Sequence, residues 1–265
     1  MRASFPTACM AVLIAGCAGM STAPTPSVRS ELAPSGTLRV AVFTSNPVVG
    51  TTNKATGEPE GTTVFMGKAL AERAGVPVRF VGYSTIAKLV EDATAGAWDV
   101  AAIGFDPARR DMLDFAPPYF VIDLTYLVPP GSAIDSVANA DKAGVRIAST
   151  RNSVTTLLLQ RTLRHATVVP VENEPAAFEM IKQGKAEAHA QNRVMLLGLA
   201  ATLPGARVVQ DRYAAVEIGM VLPKGRPGAL AYVSAFVEQA KASGTVGRAI
   251  ESAGLRGVAV APPAQ

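Results

Sequence analysis

One segment of this 265-residue chain gathers residues that could hold an anion: Asp106-Pro-Ala-Arg109-Arg-Asp-Met-Leu-Asp114-Phe115-Ala-Pro-Pro118-Tyr119-Phe120. It follows a short apolar run, Asp99 to Ile103, and a glycine, Gly104. A strand, a glycine and then an arginine at the start of a turn or helix supply what an anion needs. The backbone can approach closely at the glycine, N–H groups are free, and the guanidinium presents a planar fork of donors. Arg109 is the candidate clamp and Gly104 the point of close approach. The competing reading, a surface ion pair, suits the neighbouring Arg110.

Other chemistry has little to work with. Cys9 and Cys17 are the only cysteines, and both lie near the amino terminus. The rest of the chain therefore has no disulfide, thiol nucleophile or cysteine metal site. His165 and His189 are the only histidines and read as one loop and one strand residue rather than metal ligands. No Gly-x-Ser-x-Gly elbow is present for a Ser-His-Asp relay. No catalytic residue, metal or cofactor is expected. The net charge of +4 is mild, and basic residues alternate with acids, which argues against nucleic-acid binding.

Residues 1–17 read as an export signal: Arg2 gives a positive start, and a short apolar stretch ends at Ala15. Ile14-Ala-Gly-Cys17 resembles a bacterial lipobox, which makes Cys17 the lipidation site. Cleavage of an ordinary signal peptide near Ala23 or Ala33 is the alternative. The apolar stretch is shorter than the ~20 residues of a transmembrane helix. Residues 18–35, rich in Ser, Thr, Pro and Ala, read as a flexible tether. The expected location is the periplasm or cell envelope, with membrane contact through the lipid anchor.

The elements that must position Arg109 alternate regularly. Strands are expected at Leu38–Phe43, Pro77–Val81 and Asp99–Ile103, with helices at Thr63–Ala74 and from a Ser84 cap to about Ala95. The pattern restarts with strands at Thr125–Val128 and Val145–Ala148, a helix at Ser153–Leu163 and a strand at Thr167–Val171. A helix at Pro175–Gln183, a strand at Ala186–Ala190 and a helix at Arg193–Leu203 follow. A strand at Glu217–Leu222 and helices at Gly228–Ser243 and Val246–Ala253 close the chain. With apolar residues at 49% and charged ones at 17%, a sizeable core is available. Two successive α/β units suggest two lobes, each a mainly parallel sheet flanked by helices. Ligands of open α/β sheets sit beyond the carboxyl ends of the strands. Four loops qualify: Ser45–Val49, Gly104–Arg109, Thr150–Ser153 and Gln191–Arg193.

Gly36-Thr-Leu-Arg-Val-Ala-Val42, Gly96-Ala-Trp-Asp-Val-Ala101, Asp106 to Tyr119 and Gly184-Lys-Ala-Glu-Ala188, in this order and spacing, resemble the family 3 bacterial extracellular solute-binding proteins, receptors of polar amino acid ABC transporters. The resemblance spans roughly residues 36 to 255. It implies the two-lobed type II periplasmic-binding-protein fold, α/β, with two hinge crossings near Ile122–Tyr126 and Val216–Met220. Lobe 1 would comprise residues 36–123 and 218–258, and lobe 2 residues 124–217. The implied partners are a small carboxylate ligand and an ABC permease in the inner membrane, with the receptor itself a monomer.

The resemblance places Arg109 at the ligand carboxylate, five residues before Asp114-Phe115 as in the family. Other positions depart from the pattern. Gly104 stands where the family has a threonine. Asn152 and Ser153 stand in place of a Gly-Thr pair that closes over the carboxylate, and Ser153 keeps a hydroxyl and a cap. Asn192 stands where the family has an aspartate for the ligand's α-ammonium. Asn accepts a hydrogen bond but brings no charge, and Arg193 beside it would add positive charge if it pointed inward. A keto, hydroxy or other organic acid then fits better than a zwitterion, unless another acid such as Glu217 substitutes. Asn46 lies where the family contacts the ligand side chain. Tyr83 and Phe105 are candidate aromatic walls, with core packing the alternative; Trp98 reads as core. Two further functions remain open: a dehydratase-like enzyme, whose general acid would be Glu217 or Glu187, and a ligand-binding sensory lipoprotein.

Overall fold

The structure, a computed structural model, describes residues 23–151 and 153–264. The expected export signal, Cys17 and Asn152 lie outside the described residues.

The chain enters with helix α1 (Pro26–Leu32), capped by Thr25. This corrects the expectation of a tether reaching residue 35. Leu32 and Ala33 are buried in the first-lobe core, and Glu31 accepts a hydrogen bond from the Ala229 N–H at 2.9 Å. Seven residues, about two turns, with Leu32 as the one buried residue give no periodic signal amid Ser, Thr and Pro.

Strand β1 (Leu38–Phe43) is followed by a small hairpin of β2 (Thr51–Thr52) and β3 (Pro59–Glu60), then helix α2 (Thr62–Ala74), which Gly75 ends in the left-handed conformation. Strand β4 (Val78–Tyr83) leads to helix α3 (Ile86–Thr94), capped by Thr85 and not Ser84, since the Thr85 hydroxyl accepts from the Lys88 N–H. Strand β5 (Val100–Gly104) completes a parallel β4-β1-β5 set. A single 3-10 turn, Pro107–Arg109, then carries the clamp residue.

Next comes β6 (Leu113–Val128), sixteen residues long. The sequence reading places strand only in its last four residues, Thr125–Val128, and the run before them contains Pro117 and Pro118. The prolines are tolerated because the pairing with β11 (Ala214–Pro223) shifts register on both sides of Gly219, opposite Pro118. A bulge absorbs residues that cannot donate to the ladder. Gly219 is required there: a Cβ would lie 2.6 Å from the Phe105 ring and 3.1 Å from the Ala116 carbonyl oxygen.

The second lobe follows with α4 (Val137–Ala140), β7 (Arg146–Thr150), α5 (Val154–Thr162), β8 (Thr167–Val171), α6 (Glu174–Lys182), β9 (Ala188–Asn192), α7 (Arg193–Ala200) and β10 (Arg207–Val208). β7 pairs in parallel with both β8 and β9. The chain returns along β11 and ends with α8 (Pro227–Ala242), α9 (Thr245–Ser252) and β12 (Val258–Val260).

All strands but the small hairpin join one sheet in the order β4-β1-β5-β11-β6-β9-β7-β8, with β10 and β12 also paired to β6. β6 links the lobes: Ile122 pairs with Val216 of β11, while Leu124 pairs with Asn192 of β9. Each lobe has a core on both faces of its sheet, as the two-residue period of strands requires. Val40 and Val42 face α2, α8 and α9, while Ala41 faces Trp98 and α3. Ile147 and Tyr126 face α5, while Ala148 and Leu127 face α6 and α7. Trp98 is fully buried, its indole N–H donating to the Leu89 carbonyl at 2.9 Å.

One polar fixing occurs twice. In the first lobe Arg39 grips Asp99 through its main-chain N–H and its guanidinium, and also reaches the Gly96 carbonyl. In the second lobe Arg146 grips Glu187 and the Gly184 carbonyl in the same way. Each ties the start of a lobe's first strand to the residue that precedes β5 or β9.

Candidate functional site

Between the lobes lies a cavity of about 210 Å³. The first lobe contributes Asn46, Gly104 and Arg109, and the second Ser153, Thr155, Gln191 and Asn192. The floor comes from the linking strands, with Ile122 and Leu124 of β6 and Val216 and Ile218 of β11. More than half of the lining is apolar, and Arg109 is the one charged residue among the described lining residues.

Arg109 is held from behind. Its Nη1 donates to the Gly104 carbonyl at 3.1 Å, and Asp106 approaches Nη2 at 3.6 Å. A guanidinium has five N–H donors, so part of the fork stays available to a ligand. The main-chain N–H after the glycine is not free, however: that of Phe105 donates to the Glu217 carbonyl at 3.0 Å. Across the cavity, Ser153 caps α5 by accepting from the Thr156 N–H at 3.1 Å. Asn192 caps α7, its Oδ1 accepting from the Met195 N–H at 2.9 Å. Asn46 is engaged likewise, its Oδ1 accepting from the Val48 N–H at 3.0 Å.

The family model for bacterial extracellular solute-binding proteins, family 3, matches residues 38–253. The chain belongs to this family. The ABC transporter glutamine-binding protein GlnH of Bacillus subtilis (strain 168) is 24% identical over 208 residues, 77% of this chain and 76% of that relative. Among solved structures, the ancestral amino acid-binding protein AncCDT-1, a precursor of cyclohexadienyl dehydratase, matches with a TM-score of 0.67 and 26% identity, covering 84% of this chain and 97% of that one. The periplasmic VFT2 domain of Bordetella pertussis BvgS matches with a TM-score of 0.69 and 21% identity over 85% of this chain and 98% of that one. The fold is the type II periplasmic-binding-protein fold.

Two residues expected to wall the pocket of this solute-binding protein lie elsewhere. Tyr83 is buried in the core beside Leu89 and Trp98, with its hydroxyl 3.2 Å from Asp92. The Phe105 ring packs against Phe115 at a tilt, centroids 4.6 Å apart, and lines a separate depression with Asp114 and Lys224. Each adjoins a strand end, where one residue of register sends the side chain to the opposite face. Arg193 also points away from the cavity, to Asp123 at 3.3 Å and to the Val209 carbonyl at 3.0 Å. The acids considered as substitutes lie elsewhere too. Glu217 is exposed on the face of β11 opposite Val216 and Ile218, and Glu187 is held by Arg146.

Sequence reasoning missed Glu174, which organises the second-lobe side. Its carboxylate accepts from the Thr150 hydroxyl and the Gln191 amide on one oxygen. The other lies 3.0 Å from Nε2 of the fully buried His189. Burial alone would raise the Glu174 carboxyl, but bonds from His189, Thr150 and Gln191 together hold it below the ordinary range. The only signal in sequence was an acid in the first turn of a helix that follows a strand, which is too common to single out. Among the described residues no group of three or more metal-ligating side chains gathers, and no helix is long and apolar enough to cross a membrane.

Proposed function

We propose that this solute-binding protein is the receptor of an ABC transporter, capturing a small carboxylate-bearing solute, an amino acid or a related organic acid, and delivering it to a membrane permease. The observation that carries the reading is the cavity at the lobe junction, lined from both lobes and holding a tethered guanidinium. Residues 36–123 with 218–258, and residues 124–217, act as the two bodies, and β6 and β11 form the hinge. A ligand that touches Arg109 on one side and Ser153 and Asn192 on the other converts its binding energy into closure, which a permease can read. The printed roles of relatives support this: GlnH is a glutamine-binding protein of an ABC transporter, and AncCDT-1 is an amino acid-binding protein. The protein is exported and anchored through Cys17, and acts as a monomer at the envelope.

Binding without chemistry is favoured over a dehydratase. A general acid would have to reach the ligand, and both nominated acids, Glu217 and Glu187, sit away from the cavity. The test is calorimetric titration of the purified chain with amino acids and organic acids, with small-angle scattering before and after saturation. One-to-one binding with compaction and unchanged ligand by NMR is expected. Conversion of a prephenate-like substrate would overturn the reading in favour of the enzyme. Loss of the chain without loss of solute uptake would favour a sensor.

A further inference from the structure

We infer that the ligand is a small apolar monocarboxylate that carries no ammonium group. This rests on the receptor reading and narrows it. The Oδ1 atoms of Asn46 and Asn192 are occupied by the Val48 and Met195 N–H groups. The Oε1 atom of Gln191 accepts from the Asn192 N–H at 2.8 Å, and its amide nitrogen is committed to Glu174. The Gly104 carbonyl is taken by Arg109. Among the lining side chains the Nδ2 groups of Asn46 and Asn192 and the guanidinium of Arg109 are donors, the Asn192 group with one N–H turned to Gln191 Oε1 at 3.4 Å. The Ser153 hydroxyl is engaged as well, accepting from the Thr156 N–H and donating to the Thr156 hydroxyl, and no charged acceptor lines the cavity among the described residues.

An ammonium brings three N–H groups and a full positive charge. Out of water it needs acceptors and a counter-charge; among the described lining residues there is no carboxylate, and each amide oxygen already accepts an N–H. A carboxylate has the opposite need, and Arg109 with two amide N–H groups meets it by charge-assisted bonds. Ile103, Ile122, Leu124, Val216 and Ile218 leave the rest of the cavity apolar, which suits a branched aliphatic or aromatic body.

The test is calorimetric titration of the full chain with matched pairs: 4-methyl-2-oxopentanoate against leucine, and phenylpyruvate against phenylalanine. Glutamine and arginine serve as polar amino acids. The oxo acid of a pair is expected to bind at least tenfold more tightly than its amino acid. N192D keeps a capping oxygen for α7 but brings a negative charge into the cavity. It is expected to swing the ratio at least tenfold toward the amino acid. If the amino acids bind as well as their oxo acids, or N192D leaves the ratio unchanged, the inference falls and the receptor reading stands. If neither class binds, both fall.

Discussion

In the proposed receptor, Arg109 is the residue on which binding would turn. Its guanidinium is anchored to Gly104 and Asp106 yet keeps donors toward the cavity, so its geometry is set before a ligand arrives. Arg109→Ala is expected to weaken binding of the best ligand by at least tenfold, since a charge-assisted hydrogen bond contributes about 1.5–3 kcal/mol. Arg109→Lys should recover only part of that, because an ammonium lacks the planar fork. Calorimetry on the two variants, with thermal melting to confirm the fold, checks this. The sequence makes Arg109, Asn46, Ser153 and Asn192 legible as residues, since each stands where a strand gives way to a turn or helix. It does not make their free atoms legible. Whether Asn192 offers an acceptor or a donor depends on whether its Oδ1 caps α7, and that turns on the single residue at which the helix begins.

At the scale of elements, the second-lobe side of the cavity is assembled by one carboxylate. Glu174 ties the ends of β7 and β9 together through Thr150 and Gln191, with His189 behind it. Its pKa is lowered on folding, so its contribution to stability is full above the ordinary glutamate value of about 4.3. That contribution fades as pH falls through the lower folded value. Glu174→Gln is expected to cost about 1–3 kcal/mol at neutral pH, the penalty for disturbing a buried hydrogen-bonded group, and to flatten the stability curve on the acid side of about pH 4.3. Urea denaturation from neutral pH downward, on both proteins, tests this. Most strands and helices are legible from alternation and period, and β1 and β8 match their expected ends. β6 is the exception. Pro117 and Pro118 contradict a strand locally, and only the bulge at Gly219 on a partner about a hundred residues away resolves the conflict. A long-range pairing of that kind leaves no mark near the prolines.

At the scale of the molecule, the twin arginine fixings are alike in plan and unequal in setting. Asp99 is fully buried and is gripped by Arg226 as well as Arg39. In the other lobe Arg146 and Glu187 are 44% and 37% exposed. Arg39→Ala would leave the buried Asp99 with Arg226 as its remaining partner in that fixing, and the lost charge-assisted bonds are expected to cost about 1.5–3 kcal/mol. Arg146→Ala should cost about 1 kcal/mol or less, as exposed pairs do. Chemical denaturation of the two variants compares them directly. The inequality also reaches into dynamics. Salt screens exposed charges far more than buried ones, so rising ionic strength should loosen the 146–187 junction and leave the 39–99 junction intact. Backbone hydrogen exchange would then quicken first around β7 and β9, the strands that carry Thr150 and the cavity-lining Gln191. The half of the trap that responds to the solution would be the second lobe, while the first, which holds Arg109, stays fixed.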